Sequence, residues 1–562
     1  MGSNNIIVRE YLESLREDTE LDYLFPILLN LMGFRIISTA RETKGQSQYG
    51  KDIIAIGKDS DGIRHRFYFE LKGYDAKDIT DLNYFVRDGV RESIMEAKDT
   101  AFNDSSIPNF NHLPVMIVLV HNGTIKGNIR PTFEGFITKE FPNGKGFERW
   151  DIYHLTDLFS KHLFSEYLLT DHESIMSFKR TLVLLDAPDY DFKDFKTLVD
   201  TQLSNAKNVK GRALKKLFAT LNLLSVVILH HSKENNNIYP ARECLSYLVL
   251  KVWAWILEFR FDKKKPILIE FRKLLKIHYS ALDEYFRKTL PIALLDNGLY
   301  SESGGPFEEV GYPLRCMDYL NYLIYYFYAR LQWPSFTGTP SIVKARLIHK
   351  HQKSILFNLI NNNEASTRPL LDNHSISILN VCLFVLKSRF VTDEDIQFIL
   401  KYLRSILNNI MVIKTIKSRF PEMYNNIEAL NEFCAIGTRP HEYKDSSSLL
   451  ITTIFEIISI LNDEKTYEHF KDIKNKINLQ VAYPTTGIDI EQFLFEGTLK
   501  DKKYVEHSIV LPDQISELKK IVKQRKHESL EFRTDAAGFS FLRTLACIYF
   551  KNEHFAEEWR TL

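Results

Sequence analysis

Three charged residues, Asp52, Glu70 and Lys72, lie in a segment whose pattern predicts a β-hairpin. Two runs rich in β-branched and aromatic residues flank Asp-Ser-Asp-Gly at 59–62, a composition that favours a tight turn. Such a turn opposes residues whose numbers sum to about 122, which puts Asp52 across from Glu70. Side chains two apart on a strand share a face, so Glu70 and Lys72 point the same way. We therefore expect the three charged groups to converge at the open end of the hairpin.

Two neighbouring carboxylates raise each other's pKa and are stable together with a proton, a cation or solvent between them. Oxygen ligands suit Mg²⁺, which keeps water ligands and also binds phosphate oxygens. Such an ion lowers the pKa of a bound water, and Lys72 beside it would orient that water or stabilise charge that develops on a phosphate. Asp52 and Glu70 are therefore predicted ligands of Mg²⁺, with Mn²⁺ as a substitute. The reaction class that this chemistry indicates is phosphodiester hydrolysis.

The elements that must position these residues have the pattern of an α/β domain. Residues 6–32 show helical periodicity that ends at Gly33, and residues 76–102 show a second helical pattern. Extended runs occupy 34–39, 52–56, 64–72, 114–120 and 150–153, and a last helix follows them. This order predicts a central mixed sheet flanked by helices, with the apolar run 114–120 in the centre of the sheet and covered on both faces.

The chemical residues and their context resemble a known family. Gly50-Lys-Asp52 followed by Glu70-Leu-Lys72, after a helix that ends in Met32-Gly33-Phe34, resembles the PD-(D/E)XK nuclease superfamily and especially its Mrr-like members. The resemblance covers about residues 10–165 and implies a restriction endonuclease-like fold. Lys51 stands where the family name has proline, a replacement that the Gly-x-Asp versions of the family tolerate.

The resemblance also implies the catalytic residues and the substrate. Asp52, Glu70 and Lys72 would form the catalytic set, completed by an acid on the first helix, for which Asp22 is preferred and Glu20 is the alternative. Double-stranded DNA is the implied substrate, and bacterial restriction or anti-phage defence is the implied setting. Two alternatives stay open, namely a catalytically inactive nuclease fold that acts as a scaffold or nucleic-acid-binding subunit, and a nuclease that cleaves RNA.

Charge is nearly balanced over the chain, with 73 Lys and Arg against 72 Asp and Glu, so a surface for a polyanion requires local segregation of charge. A basic amphipathic helix is predicted at 515–527, with Lys519, Lys520, Lys523, Arg525 and Lys526 as candidate phosphate contacts. A solvated helix face is the alternative explanation of this pattern. Gln48 and Lys51, beside Asp52, are further candidates for contact with a nucleic-acid backbone.

The chain divides by pattern into a nuclease-like domain at 1–168, a connecting segment at 169–205 and a mainly α-helical region at 206–562. The last region allows a division into 206–340 and 341–562. Strand signals nearly vanish beyond residue 171, and Gly, Pro and Ser mark a break at 483–487. We expect the helical region to serve in target recognition, oligomerisation or partner docking, as part of a homo-oligomer or of a multi-protein complex. No GxxxxGK[ST] phosphate loop occurs, so any energy coupling or gating would come from a separate ATPase or sensor.

The five cysteines form no CxxC pair, which favours reduced, buried thiols over disulfides or a zinc ribbon. The longest uncharged apolar stretch, 217–229, is thirteen residues long and is shorter than the roughly 20 residues that a membrane span needs. No secretion signal is evident at the N-terminus. These features predict a cytoplasmic protein without a membrane partner.

Overall fold

The structure is a computed structural model, and it describes residues 9, 12–13, 21–39, 49–59, 61–73, 78–159, 161–162, 172–206, 212–332, 342–484, 489–496, 504–525, 531–552 and 558–562. The chain divides into two compact units, Met1–Pro240 and Ala241–Leu562. The first unit contains a mixed sheet, and the second consists mainly of helices.

A five-stranded sheet forms the centre of the first unit, and its spatial order equals its chain order. Its strands are β1 (Arg35–Thr39), β2 (Ile53–Lys58), β3 (Arg64–Lys72), β4 (Val115–His121) and β5 (Phe147–Trp150). The first three strands are antiparallel neighbours, whereas β3, β4 and β5 are parallel. The predicted mixed sheet is confirmed, but its central strand is β3, and the apolar run that forms β4 is second from the edge.

The register of the β2–β3 hairpin is the predicted one. Ile53 pairs with Phe69 and Lys58 pairs with Arg64. The turn is closed by Asp59, whose Oδ1 accepts hydrogen bonds from the backbone N–H groups of Asp61 and Ile63. Because an aspartate side chain that bonds the following backbone fixes such a turn locally, the register could be read from the sequence.

Nine α-helices with described bounds lie in the first unit or begin at its end. They are α1 (Asp22–Leu31), α2 (Asp81–Phe85), α3 (Val90–Asp99), α4 (Arg130–Glu140), α5 (Ile152–Phe159), α6 (His172–Leu184), α7 (Lys193–Ser204), α8 (Arg212–Glu234) and α9 (Tyr239–Glu258). α6 packs on α7, and α8 contacts both α7 and α1. The first compact unit therefore extends beyond residue 168 and includes the helices of the predicted connecting segment.

Both faces of the sheet are covered. On one face the Phe25 ring of α1 lies 5.3 Å from the ring of Phe69. On the other face Tyr68 of β3 belongs to a core that includes Ile94 and Ala97 of α3. Covered on both sides, β3 is buried from its second residue to its last, as expected for a strand inside an α/β sheet.

Two predicted elements differ from the observed ones. The strand predicted at 150–153 ends at Trp150, because Asp151 accepts hydrogen bonds from the N–H groups of Tyr153 and His154 and thereby starts α5. The helix predicted at 76–102 is two helices, α2 and α3, separated where Val86 is extended. Helix α4 was not predicted, since it contains Gly135 and two threonines, residues with low helix propensity.

The second unit contains the following helices after α9: α10 (Lys265–Ala293), α11 (Tyr312–Gln332), α12 (Ile342–Asn362), α13 (Ser375–Leu386), α14 (Asp393–Lys417), α15 (Ile427–Ile436), α16 (Leu449–Ile460), α17 (Glu464–Phe470), α18 (Ile490–Glu496), α19 (Ile515–Gln524), α20 (Arg533–Ala536) and α21 (Phe541–Phe550). Of the described helices, α14 alone is long and apolar enough to cross a membrane by length and composition. One such helix is weak support for a span, because the core helix of a soluble protein passes the same test.

A small sheet interrupts the helical pattern of the second unit. Its strands are β6 (Ser447–Ser448), β7 (Asn478–Pro484) and β8 (Tyr504–Ile509), in the order β6-β7-β8. The break predicted at 483–487 is wrong for its first two residues, which belong to β7. Strand β7 alternates over only a few residues, with Leu479 and Val481 buried, and its pairing with the distant β8 is not a local property.

Candidate active site

The β2–β3 hairpin changes its pairing at Asp52. The backbone N–H of Asp52 donates to the carbonyl of Phe69 over 2.9 Å. The Asp52 carboxylate accepts a hydrogen bond of 2.8 Å from the backbone N–H of Leu71 at Oδ2. A side-chain oxygen thus accepts a hydrogen bond in place of a backbone carbonyl, just before β2 begins. This contact fixes the Asp52 carboxylate against the Glu70-Leu71-Lys72 segment.

Glu70 and Lys72 are buried on the same face of β3. The Lys72 Nζ lies 2.7 Å from Glu70 Oε1. The Glu70 side chain is only 4% exposed, and that of Lys72 is 11% exposed. A buried charge is tolerated when it is paired, since removal of one partner leaves the other desolvated without compensation. The ammonium of Lys72 therefore pairs with the Glu70 carboxylate and orients it on the strand that also bonds Asp52. The predicted convergence of the three charged residues is present.

Gly50 holds the loop before Asp52 against α3. Its φ is +67°, and a Cβ built at this position would lie 1.9 Å from the carbonyl oxygen of Ser93. Only glycine allows both the left-handed backbone and this approach. The glycine of the Gly-Lys-Asp motif therefore positions the loop that leads into Asp52.

Lys51 is buried beside the site and does not form part of the exposed surface. Predicted to touch a nucleic-acid backbone, it is instead only 6% exposed. Its Nζ donates to the carbonyl of Tyr49 over 2.8 Å and lies 5.3 Å from the centre of the Tyr68 ring. Burial lowers the pKa of Lys51 to about 8, while the negative charges of Glu70 and Glu96 oppose this shift. Lys51 thus adds positive charge inside the site rather than on its surface.

Of the remaining predicted site residues Asp22, Glu20 and Gln48, only Asp22 belongs to the described part of the chain. Asp22 is the first residue of α1 and is partly buried. Helix α1 packs through Phe25 on the Phe69 side of the sheet, the face opposite to Glu70 because neighbouring side chains alternate. A role for Asp22 in completing the site stays a prediction. Glu20 and Gln48 lie outside the described residues.

His121 is a neighbour of the site, because it pairs with Lys72 where β3 and β4 run side by side. It is 1% exposed, and burial lowers its pKa to about 4. Among the described residues neither of its ring nitrogens has a hydrogen-bond partner. A neutral, buried imidazole is a packing group here, and we assign it no step in the chemistry.

The predicted basic helix corresponds to α19, and two of its cations have partners inside the second unit. Lys519 donates to the carbonyl of Ile460 and to Asn462 Oδ1. Arg525 pairs with the buried Glu456 over 3.2 Å. Lys520 and Lys523 are exposed, whereas Lys526 lies outside the described residues. The exposed basic surface of α19 is therefore smaller than the sequence indicates.

Comparisons with protein-family models, with curated proteins and with solved structures find no match for this chain. The resemblance to the PD-(D/E)XK superfamily therefore depends on the residues of the hairpin and on their geometry.

The donor set fits a Mg²⁺ ion that keeps several water ligands. Asp52 and Glu70 offer carboxylate oxygens, and Mg²⁺ in phosphoryl-transfer sites is usually held by one or two carboxylates together with water and substrate phosphate. No group of three or more His, Cys, Asp or Glu side chains placed to hold a metal occurs within the described part of the chain.

Proposed function

We propose that this protein is a metal-dependent endonuclease of the PD-(D/E)XK type that hydrolyses phosphodiester bonds in double-stranded DNA. The observation that carries the proposal is the contact of the Asp52 carboxylate with Leu71 N–H, between the paired Glu70 and Lys72. Two carboxylates and a lysine at the open end of one hairpin suit metal-assisted phosphodiester chemistry.

Each residue has a physical role in this proposal. Asp52 and Glu70 would hold Mg²⁺, or Mn²⁺ in its place, and the ion would supply an activated water and offset charge on the phosphate. Lys72 orients Glu70 through their 2.7 Å contact, and its ammonium offers N–H donors to an attacking water or a phosphate oxygen. Lys51 adds a second buried positive charge near Glu70. Asp22 completes the set in the proposal, as the resemblance implies.

Plasmid cleavage by the purified full chain tests the proposal. We expect Mg²⁺ or Mn²⁺ to support cutting and EDTA to stop it. Glu70→Gln and Lys72→Met should each reduce the rate by at least about a hundredfold, since each removes charge from the reacting site. Matched controls are Glu134→Gln, on exposed Glu134 of α4, and Lys58→Met, on exposed Lys58 of β2. Cutting that survives both site variants would contradict the proposal.

An inactive nuclease fold is the second candidate, because Lys72 already neutralises Glu70 by direct contact. A scaffold would bind nucleic acid with the same affinity in wild type and in Glu70→Gln and would cut nothing. Parallel assays on a labelled RNA duplex of the same sequence distinguish an RNA-cleaving enzyme. If the RNA is cut preferentially, the proposed phosphodiester hydrolysis stands, and RNA replaces DNA as the proposed substrate.

The proposed setting is bacterial defence in the cytoplasm, with this protein as nuclease effector in a homo-oligomer or in a complex with a separate ATPase or sensor. A double-strand cut needs two sites, so linearisation of the plasmid should rise more than proportionally with protein concentration. Phage plating on a bacterial host that expresses the protein tests the setting. If the Glu70→Gln variant protects the host from phage as well as the wild type does, defence does not depend on the nuclease site.

A further inference from the structure

The second unit contains a polar cleft with a volume of about 450 Å³. Its walls come from the 3₁₀ turn Glu364–Thr367, from α14 and from the end of α17. The volume falls within the range of about 300–1,000 Å³ that is usual for small-molecule sites. The cleft belongs to neither the hairpin site nor the basic helix.

Two arginines line the cleft and are held by neighbouring side chains. Arg368 Nη2 donates to Glu364 Oε1 over 2.6 Å. Arg404 Nε donates to Thr466 Oγ1 over 2.8 Å, and its Nη2 donates to Asp463 over 3.2 Å. Within the described residues no hydrogen bond engages Nη1 of either arginine. Each guanidinium group thus has a partner on one side and keeps its Nη1 donors for a ligand.

The rest of the lining favours an anion with polar substituents. The exposed amide of Asn408 is on α14, one turn beyond Arg404, and Glu364 is the one carboxylate in the lining. The exposed His469 stands at one wall, with its ring centre 4.5 Å from that of Phe470 and perpendicular to it. Each guanidinium group has one carboxylate partner, Glu364 for Arg368 and Asp463 for Arg404, so a ligand is recognised by the remaining N–H donors rather than by an excess of positive charge. Planar guanidinium groups match the oxygens of a phosphate in pairs.

We propose that this cleft binds a small phosphate monoester, up to the size of a nucleoside monophosphate. The phosphate would take the Nη1 donors of Arg368 and Arg404, and the organic part would face Asn408 and His469. A phosphate alone fills only a small part of the cleft. The site gives the helical unit a ligand of its own, and its binding can be measured without any cleavage reaction.

Isothermal titration calorimetry on the full chain at low salt tests the proposal with three probes, namely inorganic phosphate, ribose 5-phosphate and adenosine 5′-monophosphate. We expect one of the two esters to bind more tightly than inorganic phosphate, and which ester binds best identifies the organic part. Binding should weaken with added salt, because the contact is between charges.

Two variants of nearly unchanged size should shift the affinity in opposite directions. Asn408→Asp adds a negative charge to the cleft and should weaken binding by about fivefold to tenfold. Glu364→Gln removes a negative charge and should strengthen binding by a similar factor. Arg368→Gln should weaken binding, and Arg389→Gln, at an exposed arginine outside the cleft, serves as the matched control. Asn408 and Arg389 are exposed, so their variants should melt at the wild-type temperature.

Either of two results would overturn the proposal. The first is that none of the three probes binds the wild type at millimolar concentration. The second is that Asn408→Asp and Arg368→Gln bind as tightly as the wild type while both remain folded. Since neither readout involves cutting, failure of this proposal leaves the proposed nuclease untouched, and the reverse also holds.

Discussion

The Asp52 carboxylate accepts a hydrogen bond of 2.8 Å from the backbone N–H of Leu71, the residue between Glu70 and Lys72. This bond joins the residue that precedes β2 to the end of β3, where a side-chain oxygen replaces a backbone acceptor in the pairing of the two strands. The Asp52 carboxylate therefore has a structural role, as a hydrogen-bond acceptor, in addition to its proposed role as a metal ligand. The two roles can be separated, because an amide oxygen accepts a hydrogen bond without carrying charge.

Asp52→Asn and Asp52→Ala should therefore differ in stability and agree in activity. The asparagine oxygen still accepts from Leu71 N–H, whereas alanine leaves that buried donor without its partner at a cost of about 1–2 kcal/mol. We expect Asp52→Asn to unfold at the wild-type urea concentration or above it, and Asp52→Ala below it. Both should lose cleavage. Equal midpoints for the two variants would show that water replaces the side-chain acceptor.

Removal of Lys72 should destabilise the first unit through the charge that it leaves behind. Lys72→Met strands the Glu70 carboxylate in a buried position, at a cost of about 3 kcal/mol, and Glu70→Gln in the same chain should recover most of this loss. Mn²⁺ should raise the melting temperature of Lys72→Met more than that of the wild type, because the ion then replaces the ammonium. The double variant Glu70→Gln/Lys72→Met should show no such rise. Thermal melts with and without Mn²⁺ decide the matter.

Two glycines with positive φ provide a matched test of the loop before Asp52. A Cβ at Gly62, in the hairpin turn, meets nothing within 4 Å, whereas a Cβ at Gly50 would lie 1.9 Å from Ser93 O. Gly62→Ala should cost only the backbone strain of about 1–2 kcal/mol. Gly50→Ala must also displace the loop, and with it Lys51 and Asp52, so we expect a cleavage rate reduced by about tenfold or more. Similar rates for the two variants would mean that the Gly50 contact does not position Asp52.

His278 should make the stability of the second unit dependent on pH. It bonds Ser246 Oγ over 3.1 Å and Tyr325 OH over 3.4 Å, and burial lowers its pKa to about 3. The unfolded chain, with a histidine pKa of about 6.5, takes up this proton first as the pH falls. Stability is therefore complete above about pH 6.5 and is lost progressively toward pH 3.

His278→Gln checks this dependence, because glutamine keeps donors and an acceptor for Ser246 and Tyr325 but does not titrate. Urea denaturation at a series of pH values should give a steeper decline for the wild type than for the variant between about pH 6.5 and pH 4, with parallel curves above that range. Curves that stay parallel down to about pH 4 would contradict the shift.

The sequence predicted the parts of the site that local chemistry controls. Asp59 closes the turn with its own side chain, so the register that brings Asp52 beside Glu70 and Lys72 follows from a few neighbouring residues. The mixed sheet likewise follows from the order of helical and extended patterns. The burial of Lys51 does not follow, because it depends on Tyr68 and on the packing of Gly50 against α3.

Tertiary structure alone decided the features that join distant segments. Lys519 and Arg525 read as free cations in the sequence, yet their partners Ile460, Asn462 and Glu456 lie more than fifty residues away. The strand pairing of β7 with β8 and the cleft between Arg368 and Arg404 depend on contacts of the same kind. Periodicity, turn residues and motif spacing record what a residue does with its neighbours along the chain. Burial and charge pairing depend on which segments meet in space, and that information is shared among many residues.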